Sequence, residues 1–369
     1  MTAQSAASES TEYTRRVRRE VERSVLRARN GIRYVSAPAN VGRTPKDVVW
    51  QRDRAELWRY RSSAPIRYAQ PLVFVHSLVS KSYILDLRPG NSTVEFFLDQ
   101  GLDVFLVDWG VPDERDADND VETYVDEYLP RAIRAVQKET GCGDVTLAGY
   151  CLGGIFAFLY TAGHAEAPVR NVILLATPVD YGEMGIMVAP IREGRMDPDE
   201  LVDETGNVPA DALYAGFYMQ APTKEVALYA SLLENLWNDD FVDGYQAMAQ
   251  WSREHVPFPG AAARQVVEEF VRRNVLMTGS MELGGREIDF TRIRGNVLNA
   301  FAAKDNVVPP AAVEPASRLV GDPERRDELR LGGGHVTFAT GSRAFKQSLP
   351  AIMEWIAAHS NDLDPPRER

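Results

Sequence analysis

The sequence predicts an α/β protein: a mostly parallel sheet flanked by helices, with a subdomain inserted late in the chain. Three observations predict it. Short apolar, β-branched runs at 72–75, 104–109, 145–150 and 171–176 are separated by helix-length segments, which calls for parallel strands joined by right-handed crossovers. That rhythm breaks for roughly 115 residues and then resumes at 295–303 and 328–331. The composition, 44% hydrophobic and 25% charged over 369 residues, suits a folded chain large enough for a sizeable core. The expected organisation is a disordered tail and N-terminal amphipathic helix at 1–34, a core at 35–178 and 295–360, a cap (lid) subdomain at 179–294, and a tail at 361–369.

In chain order, residues 1–12 are small and polar and are expected to be disordered. Residues 13–29 place Val17, Val21, Val25 and Ala28 on one narrow stripe of an arginine-rich helix, with Leu26 on the far side. Such a helix docks on a partner or an interface, or packs one face on its own domain. Residues 41–60 suggest an early strand pair. The strand 72–75 runs into a loop, His76-Ser77-Leu78-Val79-Ser80. Asn91 is expected to cap a helix reaching Gly101. The strand 104–109 ends in an acidic loop, and 121–139 reads as an amphipathic helix. The cap is rich in Met, Trp, Tyr and Pro, which suits a cover over an apolar channel or an ordinary small core. The closing helix is expected at about 342–359.

Between the strand at 145–150 and the apolar helix that follows lies Gly149-Tyr150-Cys151-Leu152-Gly153-Gly154. A G-x-nucleophile-x-G turn of this kind raises its central side chain above a sheet, and side chains at Gly149 and Gly153 would collide with the adjoining elements. Cys151 then sits at a helix N-terminus that favours a thiolate, with the Leu152 N–H aimed at an oxyanion. The plainer reading is a buried, inert cysteine in a glycine-rich turn. By position, the loop after strand 72–75 supplies a second oxyanion amide at Leu78.

His335 follows three glycines after the last strand, where the chain can turn its imidazole over the sheet edge. Asp305 lies in the turn one strand earlier; Asp180 is the reserve acid, and Asp108 also ends a strand. His76 precedes the nucleophile, and His164, His255 and His359 do not end strands. The order Cys151, Asp305, His335 matches the nucleophile–acid–histidine order of the α/β-hydrolase fold.

The formal net charge of −12 argues against general nucleic-acid binding. Two cysteines make no disulfide framework and suit a reducing cytoplasm. No histidine pair has metal-ligand spacing, so no metal is expected. No apolar signal core or transmembrane-length stretch is present in the sequence.

Several stretches together resemble the polyhydroxyalkanoate synthases of the α/β-hydrolase superfamily. They are Gly149–Gly154 as spelled above, Tyr83-Ile84-Leu85-Asp86-Leu87, Val107-Asp108-Trp109-Gly110, Leu236-Trp237-Asn238-Asp239-Asp240, Met281-Glu282-Leu283-Gly284-Gly285-Arg286, Ala302-Ala303-Lys304-Asp305-Asn306-Val307-Val308-Pro309-Pro310 and Gly333-Gly334-His335-Val336. Length and Thr44-Pro45-Lys46-Asp47-Val48-Val49 bring the shorter, two-subunit class III catalytic subunits nearest. The resemblance implies an acyltransferase that polymerises (R)-3-hydroxyacyl-CoA, for instance 3-hydroxybutyryl-CoA, into polyester. CoA thioester is then substrate and CoA product, with no cofactor. It implies that Cys151 carries the chain, that His335 activates the thiol, and that Asp305 either assists the attacking 3-hydroxyl or orients His335. It also implies a noncatalytic companion subunit, a homo- or hetero-oligomer, and a cytoplasmic enzyme at the surface of polymer granules. The family usually has His after the catalytic Asp; this chain has Asn306. The rival readings are a Cys-dependent hydrolase (thioesterase or dienelactone-hydrolase-like) and a non-enzymatic granule-associated protein.

Overall fold

The computed structural model describes residues 3–164, 166–219 and 224–368. The chain forms two compact units, one of residues 42–220 with 254–369 and one of 1–41 with 221–253. The division differs from the expected one. Residues 179–220 and 254–294 belong to the larger unit, and only 221–253 of the expected 179–294 cap separates from it, joining the N-terminal helix.

The larger unit is built on eight strands: β1 (Lys46–Arg52), β2 (Ala55–Tyr60), β3 (Leu72–Val75), β4 (Val104–Asp108), β5 (Val145–Tyr150), β6 (Val169–Leu175), β7 (Asn296–Ala302) and β8 (Arg326–Leu331). Their spatial order is β1-β2-β4-β3-β5-β6-β7-β8. The β1–β2 hairpin joins β4 antiparallel, and every pairing from β4 to β8 is parallel. Every residue of β3 and β5 is buried, because helices cover both faces of the central strands; this is why these runs read as continuous apolar sequence rather than alternation.

The connecting helices follow the sequence closely, with one shift of register. The helix Thr93–Asp99 is capped by Ser92, whose hydroxyl accepts from Glu95 N at 3.1 Å, and not by Asn91. The Asn91 carboxamide oxygen instead accepts from Thr340 Oγ1 (3.0 Å) and Gly341 N (3.2 Å), so its side chain is committed to a distant loop. A wide turn at Thr123–Tyr128 leads into the helix Leu129–Thr140, which Gly141 ends in the left-handed conformation at φ 71°. The expected tail contains a strand: Asp362–Arg367 pairs with Ile66–Tyr68. The inserted region is mainly helical but holds the antiparallel hairpin Ser280–Leu283/Arg286–Asp289.

In the smaller unit the N-terminal helix runs Ala3–Ser36, so residues 3–12 are helical where disorder is expected. Of the two readings of this helix, packing of the valine stripe on its own unit does not hold. Val17, Val21 and Val25 are exposed at 45%, 59% and 64%, whereas Asn30 is fully buried. Asn30 Nδ2 donates to Leu236 O and to Asp239 Oδ1, both at 2.7 Å; Arg29 pairs with Asp239 and Arg33 with Asp243. These polar pairings, on the Leu26 side, fix which face meets the helix Asp239–Arg253 and leave the valine stripe to solvent.

Candidate active site

β5 passes into the helix Leu152–Gly163 through Cys151, whose backbone sits at φ 54°, ψ −121°. A non-glycine residue in that region is strained by about 1–3 kcal/mol, and the surrounding structure has to over-determine it. Two features do so. The Cys151 N–H donates to Leu175 O at 2.8 Å, tying the elbow to the end of β6. The glycines on either side allow a close approach. A Cβ at Gly149 would lie 2.6 Å from Gly153 O, and one at Gly153 would strike the carbonyl oxygen of Val75 and approach His76 C at 2.7 Å. The start of the helix is therefore pressed against the end of β3, where the turn carrying His76, Ser77 and Leu78 begins.

β7 and β8 end beside each other, and their loops are laced by the Lys304 N–H donating to Gly333 O at 2.9 Å. This brings Asp305 and His335 together: His335 Nδ1 lies 2.8 Å from Asp305 Oδ2, with the side chains 12% and 1% exposed. The other carboxylate oxygen, Oδ1, accepts from Val307 N (2.8 Å) and Val308 N (2.9 Å). With Nδ1 held by Asp305, the second ring nitrogen is the one left for the half-buried Cys151, whose sulfur lies near enough to raise the imidazole pKa.

Burial alone would push His335 down. The Asp305 carboxylate, through charge and hydrogen bond, and then the Cys151 sulfur outweigh it and push the imidazole up to about 10. A thiol and an imidazole in this relation can exchange a proton and leave a nucleophilic thiolate beside an imidazolium.

Asp180, Asp108 and His164 are occupied elsewhere. Asp180 caps its own turn and accepts from Gly182 N and Asn274 Nδ2, both at 2.9 Å. Asp108 accepts from Ser82 Oγ and from Gly110 N. His164 lies 2.9 Å from Asp126. Asn306 is exposed, unlike the buried Asp305 before it. Leu152 opens its helix, where N–H groups lack an intrahelical acceptor, and Leu78 lies in the turn after β3.

Two neighbours of this site were not assigned to it from the sequence. Tyr150, read there only as the variable residue of the turn, has its ring centroid 5.1 Å from that of His335. His76 also stacks on Tyr150, at 5.9 Å and 12°, and burial pushes its pKa down to about 3, so it is neutral.

An α/β-hydrolase fold model matches residues 70–342, and a model of the poly-β-hydroxybutyrate polymerase (PhaC) N-terminus matches residues 26–97. A poly(3-hydroxyalkanoate) polymerase subunit PhaC from Allochromatium vinosum is 32% identical over 320 residues, 86% of this chain and 89% of that protein. The chain belongs to the poly(3-hydroxyalkanoate) polymerase PhaC family. A second PhaC-family relative, from Haloferax mediterranei, is 32% identical over 87% of this chain, which spans only 65% of that longer protein. Among solved structures, a candidate lipase from Sulfolobus solfataricus superposes with a TM-score of 0.52 at 14% identity, over 88% of this chain and 99% of that one. That likeness speaks to the α/β-hydrolase fold the PhaC family is built on.

Proposed function

We propose that this PhaC-family chain is an acyltransferase that polymerises (R)-3-hydroxyacyl-CoA, releasing CoA, through an acyl thioester on Cys151. The observation that carries the reading is the His335–Asp305 pair beside Cys151, set at the carboxyl ends of β5, β7 and β8 in a chain whose relatives are named for this polymerisation.

The Cys151 thiolate attacks the thioester carbonyl, and the N–H groups of Leu152 and Leu78 receive the negative charge that develops on its oxygen. Collapse breaks the carbon–sulfur bond to CoA, whose sulfur takes the proton held on His335. One thioester has replaced another, so loading is nearly balanced in free energy. In elongation the 3-hydroxyl of an incoming monomer attacks the Cys151 thioester. Its proton passes to His335, an ester bond forms, and the thiolate leaves. Asp305 acts by orienting His335 rather than by touching the hydroxyl. It is 4% exposed, and its two oxygens already take the imidazole and two backbone N–H groups.

A noncatalytic companion subunit, assembly into an oligomer and attachment to the polymer granule surface complete the proposal and rest on family resemblance. Among the described residues, no helix is long and apolar enough to cross a membrane.

The test is turnover of (R)-3-hydroxybutyryl-CoA by the purified chain, with and without a companion subunit from the same host. Polymer with CoA release supports the reading; free 3-hydroxybutyrate as the sole product would make the chain a hydrolase and overturn it.

A further inference from the structure

Tyr150 occupies the position before the nucleophile, where the turn motif itself asks for no particular side chain. Here it does two things at once. Its hydroxyl donates to the backbone carbonyl of His335 at 3.0 Å, although the two residues are 185 apart in sequence. Its ring lies against the His335 imidazole, centroids 5.1 Å apart and planes inclined by 41°. His76 stacks on that ring nearly parallel to it, centroids 5.9 Å apart, and is itself held by Ser80 Oγ, 3.2 Å from His76 Nε2. Tyr150 is 2% exposed and His76 1% exposed, so the stack is packed on all sides.

The charged and titratable groups that meet at His335 are Asp305, Cys151, His76 and Tyr150. Of these, Asp305 and Cys151 favour the protonated ring through their charge. His76 is kept neutral by burial, and so adds no opposing charge beside the Tyr150 ring. The Tyr150 hydroxyl is pushed up by burial and remains a donor at any working pH. An aromatic ring within about 6 Å of a cation attracts it, and more strongly where water is excluded.

We propose that Tyr150 is a positioning residue for His335: its hydroxyl pins the backbone that carries the imidazole, and its ring, stacked on His76, supports the imidazolium formed when Cys151 gives up its proton. The inference rests on the Cys151–His335 reading of the site. It separates the two halves of one side chain, which two substitutions can test apart. Tyr150→Phe keeps the ring and loses the hydroxyl. Tyr150→Leu loses both.

The experiment follows the His335 ring in the full-length chain labelled with 13C at histidine Cε1, with the resonance assigned by its absence in His335→Gln. It is paired with kcat and KM on 3-hydroxybutyryl-CoA, and thermal melts confirm that each variant is folded. In the unsubstituted chain His335 is expected to titrate well above 6.5. Tyr150→Phe keeps that midpoint and loses about fivefold to tenfold in kcat with KM unchanged. Tyr150→Leu lowers the midpoint by about one pH unit and loses more in kcat. If His335 already titrates near 6.5 in the unsubstituted chain, the ion-pair reading of the site fails, and this inference with it. If that midpoint is high and a folded Tyr150→Leu matches the unsubstituted chain in midpoint and kcat, the inference alone is overturned.

Discussion

Replacing Asp305 by Asn is the sharpest probe of the proposed chemistry, because the surroundings dictate how the new side chain must sit. Val307 N and Val308 N both donate to Asp305 Oδ1, so in Asp305→Asn the carboxamide oxygen would be claimed by those two amides. The new NH2 group would then face His335 Nδ1, now 2.8 Å from Asp305 Oδ2. Two donors cannot share that contact, so the imidazole is driven to the other tautomer and presents N–H, rather than a lone pair, to the Cys151 sulfur. Losing the charge-assisted bond alone is worth about 1.5–3 kcal/mol, or roughly 10- to 150-fold. Adding the wrong tautomer extends the loss towards about 10^4, as when a serine-protease triad is altered in this way. The expected result is a fall in CoA release of between about 10^2 and 10^4, with KM little changed. Asp180→Asn should stay within about threefold. Stability gives an independent readout. A histidine whose folded pKa is raised from 6.5 to about 10 contributes stability that is complete below about 6.5 and lost as pH rises through about 10. That linkage is at most about 5 kcal/mol. Urea midpoints of the unsubstituted chain should therefore fall between pH 6.5 and 10, and the Asp305→Asn variant should lose most of that slope. A variant at near-normal rate, or a greater loss from Asp180→Asn, would refute the reasoning.

Three further outcomes are expected. Cys151→Ala should form no polymer and release no CoA above background in a thioester assay while melting like the unsubstituted chain. Gly153→Ala should cost about 3 kcal/mol or more in urea unfolding, since its methyl group would meet the rigid backbone of Val75 and His76 rather than a yielding side chain; an unchanged midpoint would contradict the elbow packing. His76 is buried neutral with its pKa down at about 3, so the unfolded chain binds a proton that the folded chain refuses between about pH 6.5 and 3, and stability falls on acidification through that window. His76→Gln should flatten this part of the stability profile, measured by urea midpoints at pH 6.5 and 4.

The core was legible in the sequence because its signals are local. Strands buried on both faces are unbroken apolar runs, and the elbow needs glycines at fixed offsets, so β3 to β7 and the turn at Cys151 could be read a few residues at a time. What was not legible depends on partners far along the chain. Val17, Val21 and Val25 are the apolar stripe of the first helix, yet Asn30 and two arginines, paired with Asp239 and Asp243, decide which side packs. The same long-range pairing draws 221–253 out of the expected cap. Asn91 and Ser92 are equally good caps by type, and only the engagement of Asn91 by Thr340 and Gly341 leaves the role to Ser92. Residues 362–367 contain two prolines and read as a tail until Ile66–Tyr68 supplies an edge to pair with. Tyr150 was invisible for a related reason: nothing about its spacing reveals that a loop 185 residues later will rest on it.

The lacing of the β7 and β8 loops has a consequence for synthesis on the ribosome. The thiol emerges early, while the imidazole that would arm it is encoded close to the other end. On the proposed mechanism, a chain in which β8 has not yet docked lacks the His335 imidazole beside its sulfur and cannot begin a polyester.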